Sequence, residues 1–173
     1  MPSLEELDPA LRGNLTAIYE EVMWLAKRPN VTAGRARGWY THIMAESVKR
    51  RLRQFTGKVS RSAVEAESAP LRLEHFKRIQ TALTSLVERH RDLKKPNADE
   101  FIRVLLDCER VHVVTLEENY AAMRAKGNYK KAGIELLPWR LLTPERQAHL
   151  WKKMLRGKVA NASRYAPKCG EKA

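Results

Sequence analysis

The sequence has no apolar run approaching the roughly 18 uncharged residues that would signal a membrane-spanning helix. Its acidic opening, Met1 to Asp8, lacks the apolar centre of a signal peptide. Cysteine is scarce. Cys108 lies in a helical apolar pattern and Cys169 near the end, at no disulfide or metal-ligand spacing, which points to a reducing, cytoplasmic compartment. Asn14-Leu15-Thr16 and Asn30-Val31-Thr32 fit the glycosylation pattern, but in such a compartment they are chance matches. Also missing are a G-x-x-x-x-G-K-[ST] loop, a G-x-G-x-x-G turn, a G-x-S-x-G elbow and an H-E-x-x-H pair, which weakens nucleotide hydrolysis and acyl transfer as readings.

What the chain has is positive charge. Its 173 residues, enough for a single domain with a real core over 1–173, carry 33 Lys and Arg against 20 Asp and Glu, net +13. The charge is uneven: residues 1–26 are net −4, 27–61 net +9, 62–123 net −2 and 124–173 net +10. Two cationic segments therefore flank a nearly neutral centre, a layout that calls for a polyanionic partner. Aromatic residues are interleaved with the cations at Arg37-Gly38-Trp39-Tyr40 and around Tyr129, Trp139, Trp151 and Tyr165; base stacking and ordinary core packing both account for them.

Hydrophobic periodicity predicts a mainly α protein with a small β element, an α+β chain built around a strand-strand-helix unit. Helices are expected over 4–27, from Trp39 to Phe55, through Phe76 to His90 and over 98–108, the last two as a hairpin. Pro29 to Gly38 reads as a mobile basic loop. Gly57 should end the second helix, with a strand or a loop over 58–61. Leu71 to Leu73 and Arg110 to Thr115 read as strands, and Ile134 to Trp139 as a third. Thr115 and Glu118 have capping-box spacing for a helix from Leu116, and Thr143-Pro144-Glu145 opens the final helix. A flexible basic tail is expected over 165–173.

The residue types with catalytic potential are Glu74-His75 at the end of a strand and Asn119 in the helix after the next strand. A carboxylate beside an imidazole suits phosphodiester hydrolysis, where a base activates water and a cation stabilises the phosphorane. Residues 71–123 resemble the HNH, or His-Me finger, nucleases in this strand-strand-helix order, with 76–108 as an insertion. The resemblance implies Glu74 and Asn119 as metal ligands, His75 as general base and Mg²⁺ as the metal. It covers about a third of the chain, lacks the proline usual shortly after the histidine, and offers no residue to orient the base. Helix-terminus chemistry accounts for the same residues without catalysis. His112, alternating with valines, reads as a satisfied sheet residue.

The phosphate-binding candidates are Arg35, Arg37, Lys49, Arg50, Arg51, Arg53, Lys58 and Arg61 in the first cationic segment, and Lys130, Lys131, Lys152, Lys153, Arg156 and Lys158 in the second. The sequence thus points to an intracellular nucleic-acid-binding protein, DNA favoured over RNA, nucleoid-associated if its partner is DNA. A metal-dependent endonuclease is the first form of that reading and a non-catalytic DNA- or RNA-binding protein the second. Docking on an acidic protein or an anionic membrane surface is a third.

Overall fold

A computed structural model describes residues 4–93 and 97–167. In chain order it contains α1 (Pro9–Ala26), α2 (Ala33–Trp39), a π-helical turn (Tyr40–Met44), α3 (Ala45–Leu52), β1 (Gln54–Ser60), α4 (Arg61–Glu65) and β2 (Leu71–His75). There follow α5 (Ile79–Arg91), α6 (Ala98–Cys108), β3 (Arg110–Thr115), α7 (Leu116–Arg124), β4 (Leu136–Pro138), α8 (Pro144–Leu150), a second π-helical turn (Trp151–Leu155) and a 3-10 turn (Ala162–Tyr165). The protein is mainly helical with a small mixed sheet, as the periodicity predicts. Among the described residues no helix is long and apolar enough to cross a membrane. The chain divides into two compact units, residues 1–52 with 77–109 and residues 53–76 with 110–173.

The first unit is all helix. Leu11, Leu15, Ile18 and Val22 of α1 form its buried stripe and join Val48 and Leu52 of α3, Leu83 and Leu86 of α5, and Phe101 and Leu105 of α6 in one core. Of the helix expected from residue 4, Leu4–Glu6 forms a 3-10 turn and the α-helix starts at Pro9, because Asp8 accepts hydrogen bonds from the N–H groups of Ala10 and Leu11 and proline suits the first helical position. The segment read as a mobile loop is ordered from residue 33, where the Thr32 side chain caps α2 by accepting from Arg35 N–H. Inside this unit Tyr19 Oη accepts from Asn97 N–H (3.0 Å), so its own proton goes to His90 Nδ1 (2.9 Å). His90 Nε2 then donates to Glu100 (2.8 Å), and the buried imidazole has both nitrogens satisfied.

The second unit is built on a sheet of strand order β2-β3-β1-β4. β1 runs parallel to β3 and antiparallel to β4, while β2 and β3 are antiparallel. The helix expected through Phe55 ends instead at Leu52, and Phe55 enters β1 with its side chain in the core of this unit. Gly57 therefore does not stop a helix. It sits inside β1 at φ +76°, where the register against β3 slips, and a Cβ there would meet the Tyr165 hydroxyl at 3.2 Å. The helix expected through Phe76 begins only at Ile79, and Phe76, half exposed, hydrogen-bonds through its backbone to Arg110.

Phe55, Trp139 and Tyr165 pack edge to face at 4.8–5.7 Å between centroids. Tyr165, read as the start of a tail, is thereby anchored; 168–173 lie outside the described residues. Because β4 reaches only Lys58 to Ser60, the earlier part of β1 needs another partner. Asn161 supplies it: its side-chain oxygen accepts from Phe55 N–H and its amide nitrogen donates to Phe55 C=O, both at 2.9 Å. Ala160 N–H adds a bond to Arg53 C=O (2.8 Å).

Candidate nucleic-acid interface

β2 and β3 pair without a slip from Leu71↔Thr115 to His75↔Val111, and α7 follows directly from β3. The strand-strand-helix order of 71–123 is therefore present, with residues 77–109 inserted between the strands. The capping box closes the strand–helix junction: Thr115 Oγ1 accepts from Glu118 N–H and Glu118 Oε2 accepts from Thr115 N–H. The same carboxylate accepts from Ser60 Oγ at 2.5 Å, tying the junction to the end of β1.

Regular pairing fixes where the proposed catalytic side chains point. Successive residues of a strand face opposite sides, so Glu74 and His75 are on opposite faces of the sheet. His75 is on the side of Val111, whose side chain belongs to the core; Glu74 shares the other face with its cross-strand neighbour His112. Asn119 is in the second turn of a helix that starts beyond Thr115, at the opposite end of the β2–β3 pair, and its amide nitrogen points to Met123 Sδ at 3.9 Å. Among the described residues no group of three or more His, Cys, Asp and Glu side chains is placed to hold a metal. As placed, Glu74, His75 and Asn119 do not converge on one Mg²⁺ ion.

What the sheet does bring together is Glu74 and His112. His112 is buried, and its Nδ1 lies 2.5 Å from Thr56 Oγ1, which also donates to Val111 C=O (3.1 Å). One hydroxyl proton cannot serve two acceptors, so both bonds form only if Nδ1 carries the imidazole proton and Nε2 keeps its lone pair. Burial first, then the charges of Lys58 and Arg110, pushes the imidazole down to about 4, so it is neutral at neutral pH. Rings of Phe76 and Tyr129 meet it edge-on at 5.8 and 5.5 Å. The Tyr129 hydroxyl is raised by burial and then by the charge of Glu74. This face thus holds a carboxylate, a neutral imidazole and two cations. Antiparallel register is what makes the pair, and sequence spacing carries no sign of it.

The cationic candidates separate into committed and available side chains. Arg61 is held by a two-point bridge to Glu135 (2.6 and 2.7 Å), Arg51 is paired with Asp8 (2.9 Å), and Lys49 with Glu46. Arg37 donates to Thr41 Oγ1 (2.9 Å), and Arg53 is half-buried at the start of the sheet. Arg35, Arg50, Lys58, Lys130, Lys131, Lys152, Lys153 and Arg156 are exposed, and Lys158, also exposed, donates from Nζ to Lys153 C=O (2.9 Å). The π-helical turn after α8 sets Lys152 and Lys153 outward while Met154 and Leu155 enter the core. The Trp151 indole packs against the core and donates its N–H to Ala162 C=O (2.9 Å), with Arg156 over its ring at 5.6 Å.

Sorted by unit, the charge is more lopsided than the linear segments suggest. The sheet-bearing unit holds 18 Lys and Arg against 8 Asp and Glu, net +10; the helical unit holds 15 against 12, net +3. The first cationic segment is split between the two units at residue 53. No family model, no curated protein and no solved structure matches the chain.

Proposed function

We propose that the protein binds nucleic acid, DNA in preference to RNA, through phosphate contacts on the sheet-bearing unit. The observation that carries this reading is the concentration of net +10 in that unit, with Lys58, Lys130, Lys131, Lys152, Lys153 and Lys158 exposed on it. Neutralising phosphates releases counterions, so affinity for duplex DNA of any sequence is expected to fall steeply with salt. Anisotropy titrations between low and physiological salt check this, and the double variant Lys152→Ala/Lys153→Ala should lower the log–log slope by about 2. A flat salt response would remove the reading.

Phosphodiester hydrolysis is the second reading, favoured by the pairing of Glu74 with a neutral imidazole among cations. In it His112, buried but on the face of Glu74 and with the Nε2 lone pair left by its Nδ1 bond to Thr56, takes the place of His75, whose side of the sheet is the core side. Supercoiled plasmid incubated with Mg²⁺ or Mn²⁺ tests it. Nicking abolished by Glu74→Gln and His112→Asn but retained by His75→Ala supports this arrangement; loss in His75→Ala alone restores the adjacent pair. No nicking by the wild type leaves a non-catalytic binding protein.

A further inference from the structure

The helical unit contains an open cleft of about 580 Å³ between the turn at 29–31, α2 and the π-helical turn that follows it. That volume is in the range of roughly 300–1,000 Å³ usual for small-molecule sites. Its lining includes Leu25, Val31, Gly34, Gly38, Trp39 and His42, with Arg35 and Arg37 beside them. No Asp or Glu occurs from residue 22 to 45, whereas Lys27, Arg28, Arg35 and Arg37 do; the acid next to the cleft is Glu21, whose carboxylate accepts from Trp39 Nε1 at 2.9 Å. Arg37 uses Nη1 on Thr41, and its Nε is shielded from solvent with no partner.

The two glycines are the informative feature. A seven-residue helix carrying two of them forgoes helix propensity, yet neither has a positive φ, and an added Cβ would meet nothing closer than 4.0 Å at Gly34 or 3.7 Å at Gly38. Packing does not require glycine at either position. What their missing side chains leave is a bare apolar floor in a cleft bordered by arginine, histidine and an indole.

We propose that this cleft receives one base of single-stranded nucleic acid, the base lying on the Gly34–Gly38 floor beside Trp39 and its phosphate meeting Arg35. The proposal rests on the nucleic-acid reading and adds to it a site for unpaired bases, apart from the phosphate-binding surface assigned to the sheet-bearing unit. A planar heterocycle suits an apolar slot, and an anionic backbone suits the Arg35 side of the rim, away from the Glu21 carboxylate that holds the Trp39 indole N–H.

The test uses the full chain and fluorescein-labelled oligonucleotides of one sequence, single-stranded and as a duplex. Gly34→Leu fills the cleft with a good helix former and should leave the melting temperature unchanged or higher. It should weaken single-strand binding tenfold or more while duplex binding changes less than twofold, and Arg35→Ala should weaken single-strand binding several-fold. Unchanged single-strand affinity in Gly34→Leu, or equal loss for both oligonucleotides, overturns the cleft assignment while the nucleic-acid reading stands. If the wild type binds neither oligonucleotide, both fall.

Discussion

At the scale of single residues, His112 links stability to pH. Its imidazole is held near 4 in the folded chain by burial and by Lys58 and Arg110, against an ordinary value near 6.5 when unfolded. Between those values the unfolded chain binds the extra proton, so stability rises with pH across the window and is lost as pH falls from about 6.5 towards 4. The span of the shift corresponds to something on the order of 3 kcal/mol. Urea midpoints taken at pH 7 and pH 4.5 should show the drop, and His112→Asn should flatten it; an equal slope in the variant would place the titration elsewhere. Arg146 is a second residue with a defined task, since its guanidinium donates to the carbonyls of Ala63 and Ala66 (2.6 and 2.5 Å) at the end of α4. Arg146→Met removes both charge-assisted bonds and should cost about 2–4 kcal/mol in chemical denaturation. Neither role is legible in the sequence: His112 reads correctly as a satisfied sheet histidine, but its partner Thr56 is on a strand 56 residues away, and Arg146 looks like one more surface cation.

At the scale of elements, what is legible is what local chemistry decides. The bounds of α6 and β3 are those read from periodicity and β-branching, and the capping box at Thr115 is present with both bonds. Thr115→Ala should therefore destabilise by about 1 kcal/mol. Its effect should exceed that of Thr143→Ala at α8, because Glu118 also holds Ser60; thermal melts of the two variants make the comparison. The misread elements are those where tertiary partners override local pattern. Phe55 continues the apolar spacing of Tyr40, Val48 and Leu52, yet pairing with Val111 draws it into β1. The glycines and arginines of 33–38 suggest a loop, and the Thr32 cap with buried Ala33 and Ala36 makes them a helix. For the same reason Glu74-His75 reads as a pair, although an unslipped antiparallel register assigns its two members to different faces.

At the scale of the whole molecule, a net charge of +13 makes salt act in two opposed directions. Without ligand, raising ionic strength screens self-repulsion, so the melting temperature should rise from about 10 to 150 mM salt. With a bound oligonucleotide the added stability should shrink over the same range, because binding itself weakens. Melting curves with and without DNA should converge as salt increases; parallel curves would count against phosphate contacts. Charge balance was legible from composition, whereas its gathering into the sheet-bearing unit depends on a chain path that leaves at Phe76 and returns at Arg110. The side-chain patch by which Asn161 completes β1 has a consequence in time as well as in space. It joins residues 106 positions apart, and synthesis at about 5–20 residues per second separates their emergence by roughly 5–20 s. During that interval the nascent β1 presents a bare edge to every other chain on the same polysome, so translation speed and chaperone supply, rather than final stability alone, should govern how much of this protein is recovered folded.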